Sequence, residues 1–286
     1  MYIAGYHPAI WKKSHAVWGC RPCETQGMPD NPRSGAQSVE RALSVLMTFD
    51  GVEGELGVSE IAARTGLTVS TSHRLVRALC DAGLLVQNPA TERYQLGPTL
   101  IVLGHQAEAR LGFDQALPLL RQLAEQTTES VNLGVSAGGD VLVVLDVASS
   151  RPLRFDQALG SRVPIHTSAM GKCLLAWSSQ GIERAVDALG TLREVTEHTI
   201  TDPDQLRAEL AFVRERGWAL NDEERNPGVR AVAAPVLDTH GSAIAAVAVQ
   251  GPSIRLTDDR LDAIAEDIAT TARRTAPLLN ATGQQS

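Results

Sequence analysis

"GVSEIAARTGLTVSTSHRLVRALCDAGLL", residues 57–85, carries two short helical patterns that meet at Gly66 and stop at Gly83. A Gly directly after a helical run suits the left-handed conformation that closes a helix. The spacing therefore predicts one helix from a cap at Ser59 to Gly66 and a second from about Thr68 to Gly83. Turned at about 100° per residue, the second helix collects Ser72, Leu75, Val76 and Leu79 on one side. Ser70, His73, Arg74 and Arg77 fall on the other, beside Thr71, with no carboxylate before Asp81. Hydroxyl, imidazole and guanidinium groups are the ones that meet phosphates and base edges. The first helix is small and Ala-rich, which lets the second cross it closely, as a helix-turn-helix requires.

Outward from this stretch the patterning continues. Upstream the periodicity becomes clear from Gln37, where Val39, Ala42, Leu43 and Leu46 share one face of a helix. Downstream, "LLVQNPATERYQL" is two alternating runs, Leu84–Val86 and Tyr94–Leu96, about Asn88-Pro89. That is a hairpin, the wing of a winged motif, and it carries Arg93. Pro98 opens a further helix, Thr99 to about Leu111. Beyond it, "VNLGVSAGGDVLVVLDV" and "GVRAVAAPVLDTHGSAIAAVAVQGP" each read as a strand pair. Helical patterns begin after Asp114, Asp202 and Thr257, the last with Leu261, Ile264, Ala265 and Ile268 as its stripe. The fold class is α+β, an antiparallel sheet with helices packed on it. The expected order is a DNA-binding domain over residues 37–97, a linker helix over 98–112 and a ligand-binding domain over 113–280.

Composition narrows the function classes. With 286 residues the chain is long enough for two cores, and its net charge of −7 excludes a polycation. Residues 37–96 hold five Arg, no Lys and seven carboxylates. Phosphate neutralisation supplies most non-specific DNA affinity, so a domain this acidic needs a symmetric dimer engaging two half-sites of double-stranded DNA. No apolar run reaches membrane-spanning length, so a cytoplasmic protein is expected. Residues 1–36 lack periodicity and read as a disordered extension, with Met28 a plausible start. There Cys20-x-x-Cys23, with His7 and His15, is half a zinc pattern, and no metal or cofactor is expected.

An enzyme is the rival class. "GVSAG", Gly134–Gly138, matches the nucleophile elbow of a small-molecule hydrolase, with Ser136 as nucleophile. That motif works where a strand turns sharply into a helix, whereas Gly139-Asp140 and a β-branched run follow here. "SAMGK" lacks the upstream Gly of a phosphate loop, because His166 stands there. "TSAMGKCLLAW" reads instead as a helix capped by Ser168, whose first N–H groups suit a carboxylate. Lys172 and Asp222-Glu223-Glu224 read as solvated surface or as ion pairs.

"SVERALSVLMTF", "VSEIAARTGLTVSTSHRLVRALCDAGLL" and "RYQLGPTLIVLG" resemble the DNA-binding half of the IclR family of bacterial transcription regulators. "LRFDQALGSRVPIHTSAMGKCLLAW" and "GWALNDEERNPGVRAVAAPVLDTHGSAIAAVAVQGP" resemble its effector-binding half, so the likeness spans about Gln37 to Leu279. The resemblance implies a winged helix-turn-helix, a linker helix, a GAF-like effector domain, and dimers, often paired into tetramers, on palindromic operators. It also implies an effector pocket of Ala169, Met170, Gly171, Asn221, Val229, Ala231, Ala248 and Gln250. Val69 stands where the family often has Lys, Asn221 where Asp is usual, and Ala231 where Cys is frequent. Ala248 and Gln250 stand where Ser residues occur in members that bind small oxo-acids. A less polar pocket implies a small organic acid with an aromatic or branched body.

Overall fold

Gly66 and Gly83 both adopt φ of 68° and close the two helices of the opening stretch. The computed structural model describes residues 33–280, so Cys20, Cys23, His7, His15 and Met28 lie outside the described residues. The chain divides into two compact units between Ala107 and Glu108.

The first unit contains α1 (Arg33–Met47), α2 (Val58–Thr65), α3 (Val69–Asp81), β1 (Leu85–Gln87) and β2 (Tyr94–Leu96). Val45, Phe49, Leu56, Ile61, Val76, Leu79, Leu85 and Tyr94 form its core. Leu85 pairs with Leu96 across the antiparallel wing, and Leu56 bridges to Tyr94. Two local readings are corrected. α1 begins at Arg33, ahead of the clear periodicity, because the first turn of a surface helix needs no apolar residue to announce it. Val39 and Leu43 are 60% and 40% exposed, and α1 packs through buried Val45 and half-buried Leu46 instead. Gly57, not Ser59, caps α2, because the Glu60 carboxylate reaches back and accepts the Gly57 N–H at 2.7 Å. Thr68 caps α3 and accepts the Thr71 N–H at 3.3 Å. α4 (Thr99–Leu111) runs across the unit boundary and contains no buried residue.

The second unit is a six-stranded antiparallel sheet covered on both faces. Its strands are β3 (Ser130–Ala137), β4 (Asp140–Val147), β5 (Arg162–Pro164), β6 (Ala219–Asp222), β7 (Val229–Leu237) and β8 (Ala243–Pro252). They lie in the order β5-β4-β3-β8-β7-β6. Strand alternation sorts the side chains. Val131, Leu133, Val135, Val232, Val247 and Val249 meet α5 (Phe113–Thr127) and α9 (Asp258–Asn280) on one face. Leu261, Ile264, Ala265 and Ile268 of α9 are all in that layer. The other face, with Val141, Val143, Ala231, Ala233, Ala246 and Ala248, carries α6 (Ala169–Ala176). Flanking it are α7 (Ile182–Asp187) and α8 (Pro203–Arg216), the latter capped by Asp202.

Candidate functional sites

On α3 the buried side is Ser72, Val76 and Leu79, and Ser70, His73, Arg74 and Arg77 are exposed. Thr71 is half-buried, and its hydroxyl accepts from Thr68 Oγ1 at 2.9 Å, which ties it to the helix start. His73 and Arg77 also line an open recess of about 420 Å³ with Cys80, Asp81, Gln87 and Tyr94, between the helix and the wing. Arg93 of the wing is engaged within its own unit. Its Nη2 donates to Glu60 Oε2 at 2.5 Å and to the Glu55 carbonyl at 3.0 Å. Glu55 in turn accepts Thr91 Oγ1 and Asn88 Nδ2, each at 2.6 Å, which hold its carboxyl below the usual range. These bonds fasten the wing to the segment before α2, so Arg93 acts first as a brace.

In the second unit the register builds rows across the sheet. Ala219, Ala233, Ala248 and Asn132 make one row, and Asn221, Ala231, Gln250 and Ser130 make the next. The small side chains of the first row let α6 sit close, and α6 is buried throughout. Ala169 and Met170 belong to the same apolar cluster as Ala231 and Ala248. Asn221 and Gln250 are buried beside it, and half-buried Val229 lies opposite Pro252. The residues placed together by sequence thus share one face. Two of them have structural duties. A Cβ on Gly171 would lie 1.8 Å from the Ile165 carbonyl oxygen, so Gly171 is what lets α6 approach that turn. The Asn221 side-chain oxygen accepts the Glu224 N–H at 2.9 Å and shapes the loop after β6.

Ser168 caps α6 by accepting the Gly171 N–H at 3.0 Å. The N–H groups of Ala169 and Met170 have no intrahelical partner, as in any first helical turn. Lys172 is buried, not surface: Nζ donates to Glu224 Oε1 at 2.5 Å and to the Leu220 carbonyl at 2.9 Å. Burial pushes the Glu224 carboxyl up, against the pull of Lys172.

Sequence reading missed a buried polar network at this end of the sheet. Gln250 Nε2 donates to Asn132 Oδ1, and Asn132 Nδ2 donates to Asp146 Oδ1 at 2.8 Å. Burial raises the Asp146 carboxyl, offset by that Asn132 bond. Asn132 was findable: Val131, Leu133 and Val135 alternate with it, which turns it to the opposite face. Gln157 and Arg225 sit between named strands and had no such signal.

Ser136 does not sit at a nucleophile elbow. It lies inside β3 opposite Val141, and the chain turns at Gly138 into β4, with no helix behind the hydroxyl.

Residues 38–89 match the IclR helix-turn-helix domain, and residues 113–276 match the bacterial transcriptional regulator IclR C-terminal domain. The chain belongs to the IclR family. It is 36% identical over 253 residues to the HTH-type transcriptional regulator BhcR of Paracoccus denitrificans (strain Pd 1222), covering 86% of this chain and 88% of that one. It is 31% identical over 235 residues to the transcriptional repressor IclR of Escherichia coli (strain K12), covering 80% and 85%. The crystal structure of an IclR-family regulator from Alicyclobacillus acidocaldarius superposes with a TM-score of 0.74 at 25% identity, over 85% of this chain and 98% of that one. An IclR homolog from Microbacterium hydrocarbonoxydans, crystallised with 4-hydroxybenzoate, shares the fold with a TM-score of 0.73 at 23% identity, over 87% and 100%. IclR-family relatives are transcriptional regulators and not enzymes. This IclR-family chain is a transcriptional regulator with a helix-turn-helix DNA-binding domain and an effector-binding domain. The hydrolase reading is discarded. Among the described residues no helix is long and apolar enough to cross a membrane.

Proposed function

We propose that this regulator binds a two-fold-symmetric operator as a dimer, reading it with α3, and that a small organic acid with an apolar body controls it. The observation that carries the first part is the exposed face of α3, where Ser70, His73, Arg74 and Arg77 stand without a carboxylate while the opposite side is buried. Thr71 completes that face at the helix start, and Arg93 keeps the wing in place beside it. The domains are residues 37–97 for DNA, 98–112 as linker and 113–280 for effector. Val39 and Leu43 on α1, and Ile101, Val102 and Leu103 on α4, are exposed apolar residues that support self-association into dimers, with pairing of dimers as the further step.

The effector reading rests on Ala231 and Ala248 beneath Met170, with Val229, Asn221 and Gln250 at the edge and Ala169–Gly171 as the helix start. An apolar floor gains from covering carbon. The 4-hydroxybenzoate bound by the Microbacterium homolog supports an aromatic acid.

A gel shift with the DNA upstream of the protein's own coding region tests the first part. Arg74→Ala should weaken binding by about 1–3 kcal/mol if it meets a base. Unchanged affinity in the Arg74→Ala/Arg77→Ala double variant removes α3 from the interface. Calorimetry tests the second part: tight binding of glyoxylate or pyruvate with none of benzoate-like acids sinks the apolar-body reading.

A further inference from the structure

We propose that Arg225 and Gln157 form the carboxylate-recognising pair of the effector pocket, and that the anionic end of the ligand is held there. Arg225 follows Glu224 in the loop between β6 and β7, and Gln157 comes from the segment between β4 and β5. Arg225 Nη1 donates to Gln157 Oε1 at 2.8 Å. No carboxylate pairs with this half-buried guanidinium among the described residues. Arg216, Arg230 and Arg255, also largely buried, each meet a Glu or Asp. Glu224 is taken by Lys172, and Asp146 is held by Asn132.

Gln157 supplies the second, independent observation. It is 4% exposed, and its Nε2 is buried without a hydrogen-bond partner. With its amide oxygen on Arg225, that unmet N–H₂ lies on the same side-chain amide that accepts the cation's one hydrogen bond among the described residues. A buried unpaired donor and a desolvated cation are both unfavourable until an acceptor meets them. Burial lowers the Arg225 pKa, and nothing opposes it. A carboxylate answers both: it is anionic, planar, and accepts from two donors at once.

The pair connects through Asn132 to the alanine rows. The Gln157 carbonyl accepts Asn132 Nδ2 at 3.5 Å, and Asn132 accepts from Gln250. Gln250 sits opposite Ala231, and Asn132 opposite Ala248. An acid anchored at Arg225 would therefore direct its carbon body toward the alanine rows.

This inference rests on the effector reading above, and the test separates the two. Full-length protein is titrated with benzoate, 4-hydroxybenzoate, pyruvate and glyoxylate, and with benzamide as the neutral counterpart of benzoate. Arg225→Gln should lower affinity for the bound acid by more than about tenfold, the size of one charge-assisted hydrogen bond. Benzamide should lose less affinity, because its neutral carbonyl gains less from the cation than a carboxylate does. Arg225→Lys should recover part of the loss, and Gln157→Leu should weaken the acid more than it weakens benzamide. A merely structural role would shift operator binding or the midpoint and would leave the acid-to-amide ratio unchanged. Acid binding that survives Arg225→Gln in folded protein overturns this inference alone. A wild-type protein stabilised by none of the acids overturns the effector reading, and this inference with it.

Discussion

Lys172 and Glu224 form an ion pair inside the effector unit, Nζ to Oε1 at 2.5 Å, with 2% and 7% of the two side chains exposed. The pair joins α6, which covers the alanine rows, to the loop that carries Arg225. Removing one partner of a buried pair leaves the other charge stranded, which costs more than the pair itself contributes. Lys172→Met should therefore destabilise the effector unit by about 3–5 kcal/mol in a urea titration. The Lys172→Met/Glu224→Leu double variant should lose less than Lys172→Met alone. A double loss equal to the sum of the singles would show that the two charges are not coupled.

The same pair has a pH signature. Burial holds the Glu224 carboxyl above its ordinary value of 4.5. Between that value and the folded one, the folded protein binds the proton more readily than the unfolded chain. This group's contribution to stability is thus fullest below 4.5 and lost as pH rises through the folded pKa. Glu224→Gln should remove that slope, so its stability relative to wild type should rise with pH across the window. Parallel stability curves for the two proteins would contradict this.

Ser72 is fully buried on α3, and its Oγ has no partner among the described residues. A buried hydroxyl without a hydrogen bond carries its desolvation cost uncompensated. Ser72→Ala should stabilise the DNA-binding unit by about 1 kcal/mol in chemical denaturation. Operator affinity should not move, because the side chain faces inward. A destabilised variant would mean that the hydroxyl has a partner in solution.

Cys173 is fully buried, and desolvation pushes its thiol up to about 12. The thiolate is the reactive form, so iodoacetamide at pH 8 should leave Cys173 unmodified in folded protein. Cys80 is half-buried and should be alkylated first. Mass spectrometry of the two peptides reads the order, and the contrast should vanish in urea.

Helix ends were legible because each is set by two or three neighbouring residues. Gly66, Gly83, Ser168 and Asp202 act where they stand, through a left-handed φ or a side-chain cap. The edge strands β5 and β6 were not legible. Each is only a few residues long and exists through pairing with β4 and β7. Sequence left Lys172 open between solvated surface and an ion pair because its partner lies 52 residues away, and Arg225 and Gln157 lie 68 apart in loops without period. The alanine rows were half visible: alternation puts Ala231 with Ala233 and Ala248 with Gln250, but only the register puts Asn132 beside them.

The strand order also dictates when the effector unit is able to form. β3 and β8 are neighbours at the middle of the sheet, yet Asn132 and Gln250 are 118 residues apart in the chain. At about 5–20 residues per second, a ribosome that has made Asn132 needs roughly 6–24 s more to make Gln250. During that interval β3 offers its unpaired edge, with Val131, Leu133 and Val135 uncovered, to any neighbouring strand. The helices and wing of the first unit close through contacts far shorter in sequence, so they finish while the sheet still waits. Nascent chains are thus exposed to aggregation chiefly through their second half, and a slow stretch of translation after β3 would lengthen that exposure.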